Sequence, residues 1–548
     1  MNRRTFLSAW GIAALSTPLM QACGQLVPTS LRGQPVPAPS QGGGPAQLPS
    51  YTPLPSAKAD LPSPMPGVDP GYMTYPTKLF KATQETPAQS AQLNVVTWQF
   101  SPLPTPMESN VAWQAVNKQV GTTIKINFVP IADYPSKQAT IMASDDLPDV
   151  MYFSTTNVPG LPAFLQARCA DLAPYLSGDA AKDYPNLANI PSETWKVTVF
   201  GSAIYGVPLP YSAVYRQIWT HQLWLDQIGS DFPKDTDDFR RILQQIANPN
   251  ANRWAIASDS GVGLGMTTGL EPMMFGSPNN WKVDASGKLI RDRETEEFKA
   301  ALAYTRELWQ AGLFHPDSVN YNNANGKRDF AAGKFAFRWD GHSAALQFWD
   351  QAASASPPMN LRLAPPFGAP GVKPTFPLGQ FNFGFNVIKQ ASPERVKEIL
   401  RILNFFASPF GSEEHMLANY GVKDVDYTLD ENGNPVLTQQ GQQEYTTAWI
   451  FLARPPEVLY DANAPDFAKT VQAGQVPYIQ AGIQDPTYGL FSPTAAAGGG
   501  IENTYISGID DIVFARRPLS DLEQIVNDWR TQGGDKMRGE YEQLLAKH

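Results

Sequence analysis

From Leu93 onward, short β-rich runs alternate with helix-compatible stretches, and this order restricts the possible folds more than any other feature of the chain. Leu93-Asn-Val-Val-Thr-Trp98 is a β-rich run, and a helical stretch over 111–120 follows it and ends at Gly121. Ile124-Lys-Ile-Asn-Phe128 alternates apolar and polar residues, as a strand with one buried face does, and Asp149-Val-Met-Tyr-Phe153 supplies a third strand. Strand–helix–strand order at this spacing predicts a parallel sheet with helices on its faces, an α/β architecture. The chain has 548 residues, 42% of them apolar. Single cores stop growing near roughly 250–300 residues, so more than one domain is expected.

Later helices are marked by their ends. Thr295–Ala311 places Phe298, Leu302, Thr305 and Trp309 on one stripe and stops at Gly312. Ser392 is placed to cap a helix with Pro393 in its first turn and Val396, Ile399, Leu400 and Leu403 at helical spacing. Ser520 and Glu523 read as a capping box ahead of Leu522, Ile525, Val526 and Trp529, with Gly533 just past the end. Asp284-Ala-Ser-Gly287 and Asp430-Glu-Asn-Gly433 are hairpin signals.

The N-terminal segment reads as an address. Arg3-Arg4-Thr5-Phe6-Leu7 resembles a twin-arginine export signal, and the charge-free run to Met20 is too short to span a bilayer, which takes about 20 residues. Met20-Gln21-Ala22-Cys23 resembles a lipobox, making residues 1–22 a signal peptide and Cys23 a lipidation site; plain cleavage or an uncleaved anchor are the alternatives. Residues 24–90 hold fourteen of the fifty prolines and few large aliphatic residues. Such a stretch has too little apolar area to offset its ordering entropy, so residues 23–92 are expected to be a lipid-anchored, disordered tether.

Several chemistries are excluded or unsupported. A formal net charge of −9 offers no electrostatic footprint for nucleic acid. Two cysteines, Cys23 and Cys169, exclude a disulfide framework and a thiolate-built metal centre. There is no His-Glu-x-x-His, no phosphate-binding Gly-rich loop and no Gly-x-Ser-x-Gly turn, and the five histidines are scattered. No catalytic residue, cofactor or metal ligand is nominated. Asp430 to Asn434 lacks the sixth-position glycine and twelfth-position acid of a calcium loop and reads as a turn.

Several blocks occur in one shared order over residues 93–548. They include Ile204-Tyr-Gly-Val-Pro-Leu-Pro210, Trp224-Leu-Asp226 with Asp237-Asp-Phe239, and Ala303 to Leu313. Phe330-Ala-Ala-Gly-Lys334, Tyr420 to Tyr427 with Asp430 to Pro435, and Trp529 to Gly534 complete the series. Together they resemble the family 1 extracellular solute-binding proteins of ABC importers, in particular the large lipoprotein branch associated with oligosaccharide uptake. The resemblance implies a periplasmic-binding-protein-like type II fold, with two α/β lobes about a ligand cleft and three inter-lobe crossings. Placing the crossings near residues 207–211, 337–341 and 385–388 gives an N-terminal lobe of 93–206 plus 342–384 and a C-terminal lobe of 212–336 plus 389–548. It further implies a monomer on the extracytoplasmic face of the membrane, held by its lipid anchor alone. There it would capture a saccharide by hinge closure and pass it to the permease subunits, without catalysis. A peptide or sugar-acid ligand on the same fold, and a secreted glycoside-active enzyme, are the alternatives.

A neutral saccharide needs flat aromatic platforms and hydroxyl partners. Trp98 and Phe153 end strands, where α/β sheets place ligands. Tyr211 lies at the first expected crossing, Trp339 and Asp340 at the second, and Asn382 and Phe383 just before the third. Trp281 is placed at the cleft rim. Trp224, Trp309 and Trp529 lie on helical stripes and read as core.

Overall fold

The computed structural model describes residues 46–546 apart from 55–56, 100–102, 215, 258–269, 320, 322, 380, 445–446, 463 and 498. Residues 1–22, expected to be a signal peptide, and Cys23 therefore lie outside the described residues. The strands used below are β1 (Gln92–Gln99), β2 (Thr123–Pro130), β3 (Val150–Phe153), β4 (Val207–Pro210), β5 (Gln217–His221), β6 (Phe337–Asp340), β7 (Leu361–Ala364), β8 (Phe376–Pro377), β9 (Asn382–Ile388) and β10 (Gly482–Ile483). The helices are α1 (Val111–Val120), α2 (Glu296–Gln310), α3 (His342–Ala353), α4 (Pro393–Phe406), α5 (Glu413–Tyr420), α6 (Pro465–Gln480), α7 (Gly499–Val513) and α8 (Leu522–Trp529).

The expected parallel sheet is present. β1 pairs in parallel with β2 and β3, and β9 then adds antiparallel between β3 and β4, giving the order β2-β1-β3-β9-β4. α1 is capped by Asn110, whose side chain accepts from Trp113 N, and closes on Gly121 in the left-handed region, which only glycine enters at no steric cost. Thr295 and Ser392 cap α2 and α4 as their positions predict. Ser520 does not cap α8: a 3-10 turn over Leu519–Asp521 leads into the helix instead. Gly533 does not end that segment, because a π-turn over Arg530–Gly534 carries the chain into a further helix.

Two separate cores show where the lobes divide. Leu93, Val95, Ile124, Val150 and Val207 pack with Val396, Ile399, Leu400 and Leu403 of α4 and with Trp449. Ile218, Phe239, Phe298, Phe337 and Phe376 pack with Ile509 of α7 and Ile525 of α8, around the antiparallel sheet β6-β5-β7. The first lobe is thus built from residues 92–210 and 382–453, the second from 214–378 and 464–546, with Tyr488 and Phe491 of the latter reaching across to the first lobe's core. The chain crosses between them at 211–213, 379–381 and 454–463.

The expected crossing positions fall largely inside strands: residues 207–210 are β4 of the first sheet. Residues 337–341 include β6, an edge strand of the second lobe's own sheet, and 385–388 lie inside β9 in the first lobe's sheet. Segment 342–378 consequently belongs to the second lobe and 389–453 to the first. The deciding factor is where the apolar stripe of α4 is buried, and that face lies against the first sheet.

Residues 46–92, expected to be part of a disordered tether, instead pack against both lobes. Tyr72 and Tyr75 are buried against Phe410. Ser50 N donates to Gly178 O at 2.9 Å, and Tyr72 N donates to Leu459 O at 2.8 Å. The composition argument requires a segment to build its own core, whereas this one uses apolar surface and backbone partners that the body supplies.

Candidate functional site

The carboxyl end of β1 and the residues around the crossings converge on one aromatic group. Trp98 is half-buried, with its ring 6.0 Å from Phe383, 5.0 Å from Tyr152 and 6.1 Å from Phe451. Phe383 in turn lies 5.3 Å from Tyr211, which opens the first crossing. The backbone of Phe383 is held where Gly384 takes φ 123°, and a Cβ there would come within 2.4 Å of Phe153 O. Glycine is required at that position, and it lets β9 carry an irregularity in its pairing with β4 between Asn382 and Phe385.

On the second lobe, β6 ends in Asp340 and runs through Gly341 into α3, whose first residue is His342. The imidazole of His342 lies 6.2 Å from the Tyr211 ring with the planes 19° apart. The Arg454 guanidinium sits over the other partner of this stack, 5.4 Å from the Tyr211 centroid. Burial holds the His342 imidazole below its ordinary pKa and so neutral near pH 7; the Asp69 charge opposes this and Arg454 reinforces it.

The charged groups here are internally matched. Arg338 donates to Asp340 Oδ2 through Nε at 2.9 Å and Nη2 at 2.6 Å, while Asp340 Oδ1 accepts from Gly341 N at 2.9 Å. Arg454 pairs with Glu457, whose Oε1 lies 3.6 Å from His342 Nε2. Asn382 donates to Tyr488 Oη at 3.1 Å and accepts from Gly384 N at 3.0 Å, bridging the second crossing to the 484–492 segment. The half-buried rings of Trp98, Tyr211 and Phe383, backed by the buried Tyr152, Phe451 and His342, form a surface that suits an uncharged, ring-shaped polar guest.

Of the residues singled out from the sequence, Trp98, Tyr211, Asn382, Phe383 and Asp340 lie in or beside this group. Two do not. Phe153 is fully buried, stacked on Phe385 at 5.6 Å, because it faces the helix-covered side of the first sheet. Trp281 is 3% exposed in the second core, 6.1 Å from Trp529 and under the Arg291 guanidinium. Its hairpin position turns the ring inward rather than to a rim. Trp339 shares a strand face with Phe337 and packs edge-on to Phe376 at 5.8 Å, keeping part of its surface exposed. Arg454, Glu457 and Tyr488 were not singled out. The Arg454-Pro-Pro-Glu457 run is the signal in the sequence, and it lies far along the chain from the expected third crossing at 385–388.

Among the described residues, no cluster of His, Cys, Asp or Glu could hold a metal ion. The Asp430 carboxylate is occupied by its own turn, accepting from Asn432 N and Asn434 N at 2.8 Å each. No helix among the described residues is long and apolar enough to cross a membrane.

The molecule is similar to known binding proteins across most of its length. It is 26% identical over 336 residues to lipoprotein LipO of Bacillus subtilis, covering 60% of this chain and 66% of that one. It is 22% identical over 465 residues to the polygalacturonan/rhamnogalacturonan-binding protein YtcQ of the same organism, covering 80% and 88%. Its fold matches the HMO-binding, ABC-transporter-associated solute-binding protein from Bifidobacterium longum infantis with TM-score 0.64 at 13% identity, covering 84% and 99%. The model of the bacterial extracellular solute-binding proteins matches residues 105–409, and with the two-lobed α/β architecture above this places the chain in that family, as its sequence motifs led us to expect.

Proposed function

We propose that this solute-binding protein captures a carbohydrate between its two lobes and delivers it to the membrane subunits of an ABC importer. The observation that carries the reading is the aromatic group itself. Trp98 and Phe383 come from the first lobe, Tyr211 from a crossing, and His342 stacks on Tyr211 from the second lobe. A guest lying on the half-buried Trp98, Phe383 and Tyr211 rings touches the first lobe and the crossing, and the buried His342 behind Tyr211 couples it to the second lobe when the two approach. It therefore shifts an open–closed equilibrium by its differential affinity for the two states. YtcQ binds acidic polysaccharides by name, but the cation over the Tyr211 ring here, Arg454, is paired with the Glu457 carboxylate. The pairing of Arg454 with Glu457 favours a neutral saccharide over a sugar acid.

The reaction is reversible binding without turnover. Cys23 carries the lipid, residues 1–22 direct export through a twin-arginine route, and a monomer works at the extracytoplasmic face. Titration by intrinsic tryptophan fluorescence against neutral oligosaccharides and oligogalacturonates tests the reading. Saturable quenching or enhancement by a neutral member, with the sugar recovered unchanged, is expected. Covalent change in the recovered sugar, or saturation by no saccharide, overturns it.

A further inference from the structure

Residues 46–90 run from the first lobe to the second and back again. At the start, Ser50 N and Thr52 N donate to Gly178 O at 2.9 Å and Ala188 O at 2.8 Å, both in the first lobe. In the middle, Gln472 Nε2 of α6 donates to Leu61 O at 2.9 Å and to Asp69 O at 3.0 Å. Gln475, fully buried on the same helix, exchanges two bonds with Asp69: it accepts from Asp69 N at 2.9 Å and donates to Asp69 Oδ2 at 2.7 Å. Its Nε2 also donates to Ser212 Oγ at 3.2 Å, inside the first crossing. At the end, Tyr75 N donates to Asn434 Oδ1 at 2.8 Å, and Gln89 N and Ser90 N donate to Glu398 Oε1 at 2.8 Å each, again in the first lobe.

Helix α6 belongs firmly to the second lobe: Tyr478 Oη accepts from Ile218 N and donates to Ala364 O, both at 2.8 Å. The segment therefore adds two covalent passages between the lobes to the three crossings already described. Three crossings leave a rotation about their common axis. A segment held to one lobe at both ends and to the other in its middle opposes that rotation, because hydrogen bonds stretched beyond about 3.5 Å are lost. Asp69 places the attachment beside the axis, next to Ser212.

We propose that residues 46–90 act as a strap limiting how far the two lobes separate, with Gln472 and Gln475 pinning it to the second lobe. The inference rests on the lobes being hinged as read above. Its test uses the chain without saccharide, so that its failure leaves the carbohydrate reading standing.

Spin labels at the exposed positions Lys137 of the first lobe and Ala300 of the second report lobe separation in the full chain by pulsed dipolar spectroscopy. Two variants loosen the strap. One is Gln472→Ala with Gln475→Ala; the other carries protease sites inserted after the exposed residues Lys58 and Thr74, cut after folding to sever both passages. Both are expected to lengthen the mean distance by several ångströms (about the reach of one or two residues) and to broaden its distribution, with cooperative melting retained. A cut chain that melts cooperatively yet keeps the wild-type distribution overturns the proposal, and it decides the matter even where the double alanine variant fails to fold.

Discussion

Tyr211 and His342 lie face to face, 6.2 Å apart at their centroids, and so join the first inter-lobe crossing to the first turn of a second-lobe helix. Neither residue is far from a backbone that must turn if the lobes rotate. On the proposed reading the half-buried Tyr211 ring meets the guest while the buried His342 backs it, so that binding and hinge share one residue.

Trp98→Ala and Tyr211→Ala are each expected to weaken saccharide binding about 10- to 100-fold, or ~1.4–2.8 kcal/mol, measured by calorimetric titration. Trp281→Ala removes a ring of the same kind from the second core. It is expected to cost about 3–5 kcal/mol of stability and to leave the affinity of the folded fraction unchanged. Equal losses of affinity in all three would contradict the assignment of the ring group as the site.

The Arg338–Asp340 pair is buried, at 7% and 8% exposure, and each member offsets the other's charge. Arg338→Met alone leaves a buried carboxylate and is expected to destabilise the chain by about 3–5 kcal/mol in urea unfolding. Adding Asp340→Leu is expected to restore most of that loss. A double variant no more stable than the single one would show that the pair matters for more than its mutual charge.

Glu398 couples the strap to α4. Burial acts to raise its carboxyl pKa, but the Gln89 and Ser90 amides and the Arg395 guanidinium overcome this and leave it at about 2, against an ordinary 4.5. A carboxyl whose folded pKa is depressed contributes its full stability above the ordinary value. That contribution is lost as pH falls from about 4.5 towards 2. Melting temperature followed over this range is expected to fall less steeply in Glu398→Gln than in the wild type.

Gly384→Ala forces a side chain into a positive φ and against Phe153 O at 2.4 Å. Backbone strain and overpacking together are expected to cost upwards of about 1–3 kcal/mol and to displace Phe383. A variant with wild-type stability would mean that β9 relaxes freely at this point, which chemical denaturation would reveal.

Much of the fold was legible because it depends on local rules. The β1–α1–β2 unit, the Thr295 and Ser392 caps and the Asp284 and Asp430 hairpins follow from short-range spacing, and all are found. Ser520 misled because its neighbours favoured a 3-10 turn first, and Gly533 because a glycine with φ 146° serves a π-turn as readily as a helix end. Among the site residues, Trp98, Tyr211 and Phe383 could be picked out by their places at a strand end and near crossings. Phe153 and Trp281 occupied similar places in the sequence but turned inward.

What the sequence determined by itself was the inventory: strand and helix periods, aromatic supply, absence of catalytic motifs and an ordered series of family blocks. Periodicity shows that α4 has a buried face without showing which sheet covers it, and low aliphatic content shows that residues 46–92 cannot fold alone without excluding that they fold onto something else. Only the tertiary structure assigned 342–378 to the second lobe and 389–453 to the first, and laid the strap across both. The physical reason is that apolar burial is non-directional: a stripe or a tyrosine gains nearly the same free energy against any complementary surface, so the choice among surfaces is made by the packing of the whole chain.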